Sequence, residues 1–194
     1  MDKRSLLSNE GSQTILACDD DGNFLEYIPK MVGHTGEGRR HLAITVLLYN
    51  SKNEVLLQKR KHKVFDDIWD FSASTHPLHL ENGKDESLEE ATLRSLEDEY
   101  GIKKVKLEMV GTFNYFAKVG ELCENQQAVF CENEHDALFI GEYNGKVKLN
   151  PEKGYEYKWV SKQEMLEDME KNPKKYTAWA NEGLKILKQV GFFN

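Results

Sequence analysis

Glu86-Ser87-Leu88-Glu89-Glu90-Ala91-Thr92-Leu93-Arg94-Ser95-Leu96-Glu97-Asp98-Glu99-Tyr100-Gly101-Ile102 is the stretch on which the reading of this chain turns. Residues 87–100 predict a helix. Leu88, Ala91, Ser95 and Glu99 recur at i, i+3, i+7 and i+11, and Gly101 stands where a glycine ends a helix. The stretch is crowded with carboxylates, and Glu89, Glu90 and Glu97 read as a solvated helix face. Glu99 differs, because at about 100° per residue it lines up with the small side chains of Ala91 and Ser95. A carboxylate on the buried edge of a helix needs a cation or a hydrogen-bond partner, and spacing leaves a metal and an arginine equally open.

Working outward, residues 16–28 are interrupted by Asp19-Asp20-Asp21-Gly22-Asn23 and predict strand, turn and strand. Leu42-Ala43-Ile44-Thr45-Val46-Leu47-Leu48-Tyr49 is a continuous apolar run that predicts a buried strand. The turn Asn50-Ser51-Lys52-Asn53 pairs it to Val55-Leu56-Leu57-Gln58-Lys59-Arg60. A further strand is predicted around residues 69–74. Beyond the helix, strands are predicted at 105–116, 127–143 and 155–160, then helices at 162–170 and 173–190. Many strands around one central helix, with helices at the end, predict an α+β class built as a mixed-sheet sandwich. Residues 1–12 read as a leader and 13–194 as one domain, since 194 residues supply one substantial core.

Apolar residues make up 39% and charged residues 30%, a globular rather than disordered composition. A net charge of −7 argues against a nucleic-acid partner, which would select a basic surface. It leaves room for a small anion held by a few local Lys and Arg. No stretch approaches the ~20 apolar residues of a membrane span. Met1-Asp2-Lys3-Arg4-Ser5-Leu6-Leu7 lacks the apolar run of a signal peptide. The expectation is a cytoplasmic protein without a membrane partner. Cys18, Cys123 and Cys131 form no close pair and fit free thiols in a reducing compartment.

Two polar groupings remain. His34 and His41 flank Thr35-Gly36-Glu37-Gly38-Arg39-Arg40, a loop able to fold back and bring both imidazoles together. His76 precedes Pro77, which biases it to extended backbone. Taken alone, three separated histidines are more often unrelated than co-ligands. Cys131-Glu132-Asn133-Glu134-His135-Asp136 enters the apolar run Ala137-Leu138-Phe139-Ile140, and a period of two puts Glu132, Glu134 and Asp136 on one face. Such carboxylates repel unless a cation or shared proton intervenes. A metal, a general acid or a solvated strand end each accounts for them, and the solvated end is the default.

Taken together, these pieces resemble a known family. The segment from Glu86 through Arg94 to Ile102 is similar to a degenerate Nudix box, the loop–helix–loop motif of diphosphate-processing proteins. Leu80 stands for its opening glycine, Ser95 for the Glu after the Arg, and Asp98 for the first Glu of the closing pair; Glu99 and Gly101 are kept. That pattern of loss looks like the type 1 isopentenyl-diphosphate isomerases, and the likeness runs from about Leu16 to Trp179. His34 and His41 stand at that family's spacing. Trp69-Asp70-Phe71-Ser72-Ala73-Ser74-Thr75-His76-Pro77 is similar to its active-site segment, and Glu132-Asn133-Glu134-His135-Asp136 to its Glu-x-Glu-x-Asp strand. Phe113-Asn114-Tyr115 and Thr177-Ala178-Trp179 match two more of its sites. The resemblance implies a Nudix fold.

It also implies roles. His34, His41, His76, Glu132 and Glu134 would bind one divalent cation, and such ligands suit Mn²⁺, Mg²⁺ or Zn²⁺. Glu99 would hold a Mg²⁺ bridging the substrate diphosphate. Lys30, Arg60 and Lys63 would clamp that diphosphate, while a family Arg falls on Ser95 and weakens the anion site. The implied chemistry is proton addition to one face of an alkene and removal from the other. Glu134 with Tyr115 would deliver the proton, and Trp179 would stabilise the transient carbocation through its π face. The family's second acid/base is a cysteine, here Ser74. A thiol with a pKa of ~8.5 works near neutrality, whereas an alkanol needs strong activation. The implied activity is therefore a slow interconversion of isopentenyl and dimethylallyl diphosphate. Two rivals stand beside it. A Nudix pyrophosphohydrolase is disfavoured by Ser95, though Asp98 keeps a partial carboxylate cluster. A binding protein for metal and diphosphate, without turnover, draws on Ser74 and Ser95.

Overall fold

A computed structural model describes residues 13–119 and 130–194. The predicted leader at 1–12, Cys123 and residues 127–129 of a predicted strand lie outside the described residues. In chain order the elements are β1 (Thr14–Cys18), β2 (Phe24–Pro29), α1 (Lys30–Gly33), β3 (His41–Tyr49), β4 (Glu54–Arg60), β5 (Trp69–Asp70), β6 (Ala73–Thr75) and β7 (Leu78–His79). Then follow α2 (Leu88–Tyr100), β8 (Leu107–Val119), β9 (Phe130–Glu142), β10 (Gly154–Ser161), α3 (Lys162–Lys171), a single 3₁₀ turn (Pro173–Lys175) and α4 (Ala178–Gln189).

The decisive helix forms as its ends direct. Ser87 caps α2 by accepting from the Glu90 backbone N–H, and the Glu90 carboxylate returns the bond to the Ser87 N–H, a reciprocal capping box. Gly101 closes the helix at φ 70°, a conformation that costs a glycine little. Ala91, Ser95, Leu96 and Tyr100 are buried, while Glu89, Glu90 and Glu97 are exposed.

All strands join one curled, mixed sheet, whose long path runs β10-β4-β3-β1-β2. Strand β3 lies at its centre. It pairs with β9 in parallel along its whole length, from His41↔Glu134 to Tyr49↔Glu142, and β8 continues antiparallel to β9. The turn at 50–53 forms as predicted, but β3 and β4 share only the Tyr49↔Val55 pair before they splay apart. Into that splay come β5 against β4 and β6 against β3, so the strand expected near 69–74 is two short ones.

The apolar run of β3 is buried on both faces, as a strand with layers on either side must be. Ile44, Val46 and Leu48 pack with Ala91, Leu96 and Tyr100 beneath α2. Leu47 packs the other way with Phe71, Leu138, Met165, Ala180, Leu184 and Leu187 beneath α3 and α4. This is the mixed-sheet α+β sandwich that the sequence predicts. The helix predicted over 173–190 is interrupted. Thr177 accepts from the Ala180 N–H and so caps a new helix, which puts Trp179 in the first turn of α4. Among the described residues no helix is long and apolar enough to cross a membrane.

Candidate metal centre and its neighbours

The sheet register builds the site. Tyr115 on β8 stands opposite Glu134 on β9, which stands opposite His41 on β3, so three polar side chains form one row across three strands. His34 reaches the row from the end of α1. Its carbonyl accepts from the Cys131 N–H at 3.1 Å, which ties that turn to β9. Gly33 makes the approach possible, since a Cβ there would sit 2.8 Å from His41 Nδ1. His76 follows β6, and the chain beyond it is held by an ion pair at α2. Arg94 bonds both oxygens of Glu86 at 2.7 and 2.9 Å and also donates to the His76 carbonyl at 2.9 Å.

His34, His41, His76, Glu132 and Glu134 thus converge, with one ligand atom from each within 4.8 Å of all the others. Glu132, Glu134 and Asp136 are all buried, which corrects the default expectation of a solvated strand end. The three imidazole rings lie 4.7–4.9 Å apart. His76 Nε2 is 2.8 Å from Glu134 Oε1, His41 Nε2 is 3.4 Å from the same oxygen, and the Tyr115 hydroxyl donates to Glu134 Oε2.

Several features fit a cation here. His34 Nε2 and His41 Nε2 are buried and complete no hydrogen bond among the described residues, and Glu132 Oε2 lies 2.8 Å from His34 Nδ1. Buried polar atoms rarely go unsatisfied without a reason. The Nδ1 atoms of His34 and His41 face the carbonyls of Cys131 (3.2 Å) and Arg39 (2.8 Å). A carbonyl can only accept, so each Nδ1 carries the proton and each Nε2 lone pair is free for a metal. Burial holds the His34 and His76 imidazoles below their ordinary range, His76 well below, which favours the neutral, ligating form. Burial and the neighbouring Glu134 charge push Glu132 well above the carboxylate range. Glu132 and Glu134 are two buried carboxylates side by side, and a divalent ion would offset their repulsion.

Glu99 is apart from this group. Its Oε1 accepts from Ser95 (2.7 Å) and its Oε2 from Gln58 (2.6 Å), and burial pushes its carboxyl up to about 7. Asp98 does not join it; it is exposed and paired with Lys153 at 2.9 Å. The partial box cluster expected around Asp98 is therefore not assembled.

Between Glu99 and the histidines lies a network that the sequence reading passed over. Asp70, buried on β5, accepts from Trp179 Nε1 (2.8 Å), Thr177 Oγ1 (2.9 Å), its neighbour's Phe71 N–H (2.8 Å), Arg60 Nη1 (3.2 Å) and Ser74 Oγ (3.2 Å). Arg60 also donates to Ser74 Oγ at 3.0 Å, and its guanidinium carbon lies 4.9 Å from the centre of the Trp179 ring. Tyr115 flanks Trp179 at 5.9 Å. Arg60, Ser74 and Trp179 are thus brought together around one carboxylate. An acid inside the run Trp69-Asp70-Phe71 was the signal that could have found it, because a carboxylate carried into an apolar run demands partners. Lys30 stands on the histidine side, where its charge helps to depress His34, and donates to Gln13 Oε1 at 3.2 Å. Lys63 is exposed on the loop at 61–68.

Comparison with known proteins bears on the fold and the family. The NUDIX domain profile matches residues 39–180. An isopentenyl-diphosphate Delta-isomerase of Jannaschia sp. is 30% identical over 172 residues, 87% of this chain and 90% of that protein. One from Serratia proteamaculans is 28% identical over 182 residues, 92% of each. In fold, DR0079 from Deinococcus radiodurans superposes with a TM-score of 0.64 over 90% of this chain and 98% of its own, at 13% identity. The MutT protein of Methanosarcina mazei gives 0.57 over 78% and 95%, at 24% identity. A Nudix profile across most of the sheet, and isomerase relatives that cover nearly the whole chain, lead to one conclusion: the chain belongs to the NUDIX domain family, within its isopentenyl-diphosphate isomerase-like branch.

Proposed function

We propose that this protein interconverts isopentenyl and dimethylallyl diphosphate, slowly and with a divalent cation on His34, His41, His76, Glu132 and Glu134. The observation that carries the reading is the Tyr115–Glu134–His41 row, a proton donor against a carboxylate that two imidazoles hold on its other oxygen. When bound, the cation would supply the positive charge that offsets the repulsion between Glu132 and Glu134. Mn²⁺, Mg²⁺ and Zn²⁺ all suit the ligand set.

The proton shared between Tyr115 and Glu134 is added to the terminal carbon of the substrate alkene. Burial and the surrounding carboxylates keep the Tyr115 hydroxyl protonated, its pKa well above the ordinary phenol range, so it holds that proton until substrate arrives. The tertiary cation that results faces Trp179. One face of that indole carries Arg60, and the Asp70 carboxylate between Arg60 and the indole N–H offsets the guanidinium charge. Arg60 with Lys30 and Lys63 would bind the diphosphate, and Glu99 would hold a Mg²⁺ that supplies further positive charge to it. We place this reaction in the cytoplasm, a reading supported by the buried free thiols Cys18 and Cys131.

The hydrolase rival is weakened at the box. Glu86 is spent on Arg94, Glu90 on the helix cap and Asp98 on Lys153, which leaves Glu99 alone of these facing inward. The test is direct. The protein with Mn²⁺ or Mg²⁺ is offered isopentenyl diphosphate and a panel of nucleoside diphosphate compounds. Dimethylallyl diphosphate formed without phosphate release is expected. Phosphate release from the panel would establish the hydrolase instead, and binding without turnover the non-enzymatic reading.

A further inference from the structure

An isomerase of this kind must take a proton from the carbon next to the cation, and a lone serine hydroxyl is a poor acceptor. Position 74 is not a lone serine. Its Oγ lies 3.2 Å from Asp70 Oδ2 and 3.0 Å from Arg60 Nη1. Arg60 can only donate, so Ser74 accepts from it and has its own proton free to point at Asp70. The second Oγ lone pair then remains for a substrate. Ser74 lies on β6 and His76 just past its end, and residues two apart on an extended chain turn to the same side. The register agrees, because Ser74 pairs with Thr45 on β3, four residues beyond His41 in the same strand.

We propose that Asp70 is the final proton acceptor of this site, acting through the Ser74 hydroxyl where the isomerase resemblance expects a thiol. The proposal rests on the isomerase reading. In the step, the C–H bond beside the tertiary cation breaks and its electron pair becomes the internal double bond. The proton moves to Ser74 Oγ as the serine's own proton passes to Asp70 Oδ2. Charge balances, since a cation becomes neutral alkene and the carboxylate becomes a carboxylic acid; nothing is oxidised or reduced. In the reverse direction Asp70 returns the proton by the same path.

Asp70 accepts five hydrogen bonds, one of them from a guanidinium. A proton beside a tertiary carbocation leaves downhill and needs an oriented acceptor more than a strong one. The same five bonds hold the acceptor rigidly in place before substrate arrives. Asp70 is thus a positioning and relay residue, since it acts through Ser74 rather than on the substrate.

The test is a double-mutant cycle on the Mn²⁺-loaded protein, reading kcat and KM for isopentenyl diphosphate. Asp70→Asn keeps the shape and should lower kcat by about 10–100-fold with KM within about threefold of wild type. In a Ser74→Cys background the thiol serves as its own acid/base, so Asp70→Asn should there cost less than about threefold. Equal kcat losses in both backgrounds would overturn the relay, as would a loss confined to KM, which would mean that Asp70 merely anchors Arg60. Thermal melts accompany every variant. If Asp70→Asn does not fold, Ser74→Ala decides: a kcat within about twofold of wild type overturns the relay, and a loss of about tenfold or more upholds it. A wild-type protein that makes no dimethylallyl diphosphate at all sinks the isomerase reading itself and the relay with it.

Discussion

The His/Glu group and the Glu99 end of helix α2 are both buried acidic regions, but they differ in what they leave unfinished. In the first, the Nε2 atoms of His34 and His41 are buried without a hydrogen-bond partner among the described residues. In the second, both oxygens of Glu99 are already engaged, by Ser95 and by Gln58. An unfinished site needs a ligand to repay its desolvation, whereas a finished one tolerates a ligand. Two cation sites are therefore expected to differ in rank. The His/Glu group should bind an ion by itself, and Glu99 should do so only when a diphosphate supplies the remaining oxygens.

The largest effect should come from breaking the first region. Glu134→Gln keeps the shape but removes the charge shared by His41, His76 and Tyr115. Turnover should fall by about 10³-fold or more, read as dimethylallyl diphosphate formed per minute. Near-normal turnover would take Glu134 out of the chemistry. Next in size is the ion itself. His34→Ala should weaken Mn²⁺ binding by about 100-fold in calorimetry, while Glu99→Gln should change it by less than about threefold without diphosphate. Equal losses in both variants would merge the two regions into one site and end the comparison.

The smallest effect concerns the ionisation of Glu99. Its carboxyl is pushed up to about 7 from an ordinary 4.5, so the folded protein binds this proton more tightly than the unfolded chain. The stability this proton provides is complete below pH 4.5, declines as pH rises through that window, and is gone above about 7. Glu99→Gln should remove this decline, seen as a flatter denaturation midpoint between those two pH values. An unchanged slope would mean that Ser95 and Gln58 hold Glu99 ionised throughout, and the second region would then resemble the first.

Some of this was legible because its causes are local. The α2 boundaries follow from Ser87, Glu90 and Gly101, each acting within four residues. The solvated face at Glu89, Glu90 and Glu97 follows from helical period alone. The ligand set was legible by resemblance only. Residue patterns by themselves favoured unrelated histidines and a solvated strand end at 132–136, since nothing local reveals that β9 lies between β3 and β8. The break at Thr177 was missed although its cap on the Ala180 N–H is local; what lay out of reach is the bond of the same hydroxyl to Asp70, 107 residues away.

The amino-acid sequence by itself determined the α+β composition of elements, the capped central helix, the doubly buried strand β3 and, through its motifs, the family. Only the tertiary structure decided which carboxylates are left wanting and which are satisfied. It set Glu134 in a row with Tyr115 and His41, engaged both oxygens of Glu99, and gathered Ser74, Arg60 and Trp179 around Asp70. The reason is physical. Caps, turns and periodicity act over a few residues of chain, but the state of a buried charge depends on partners that the fold brings from far along it.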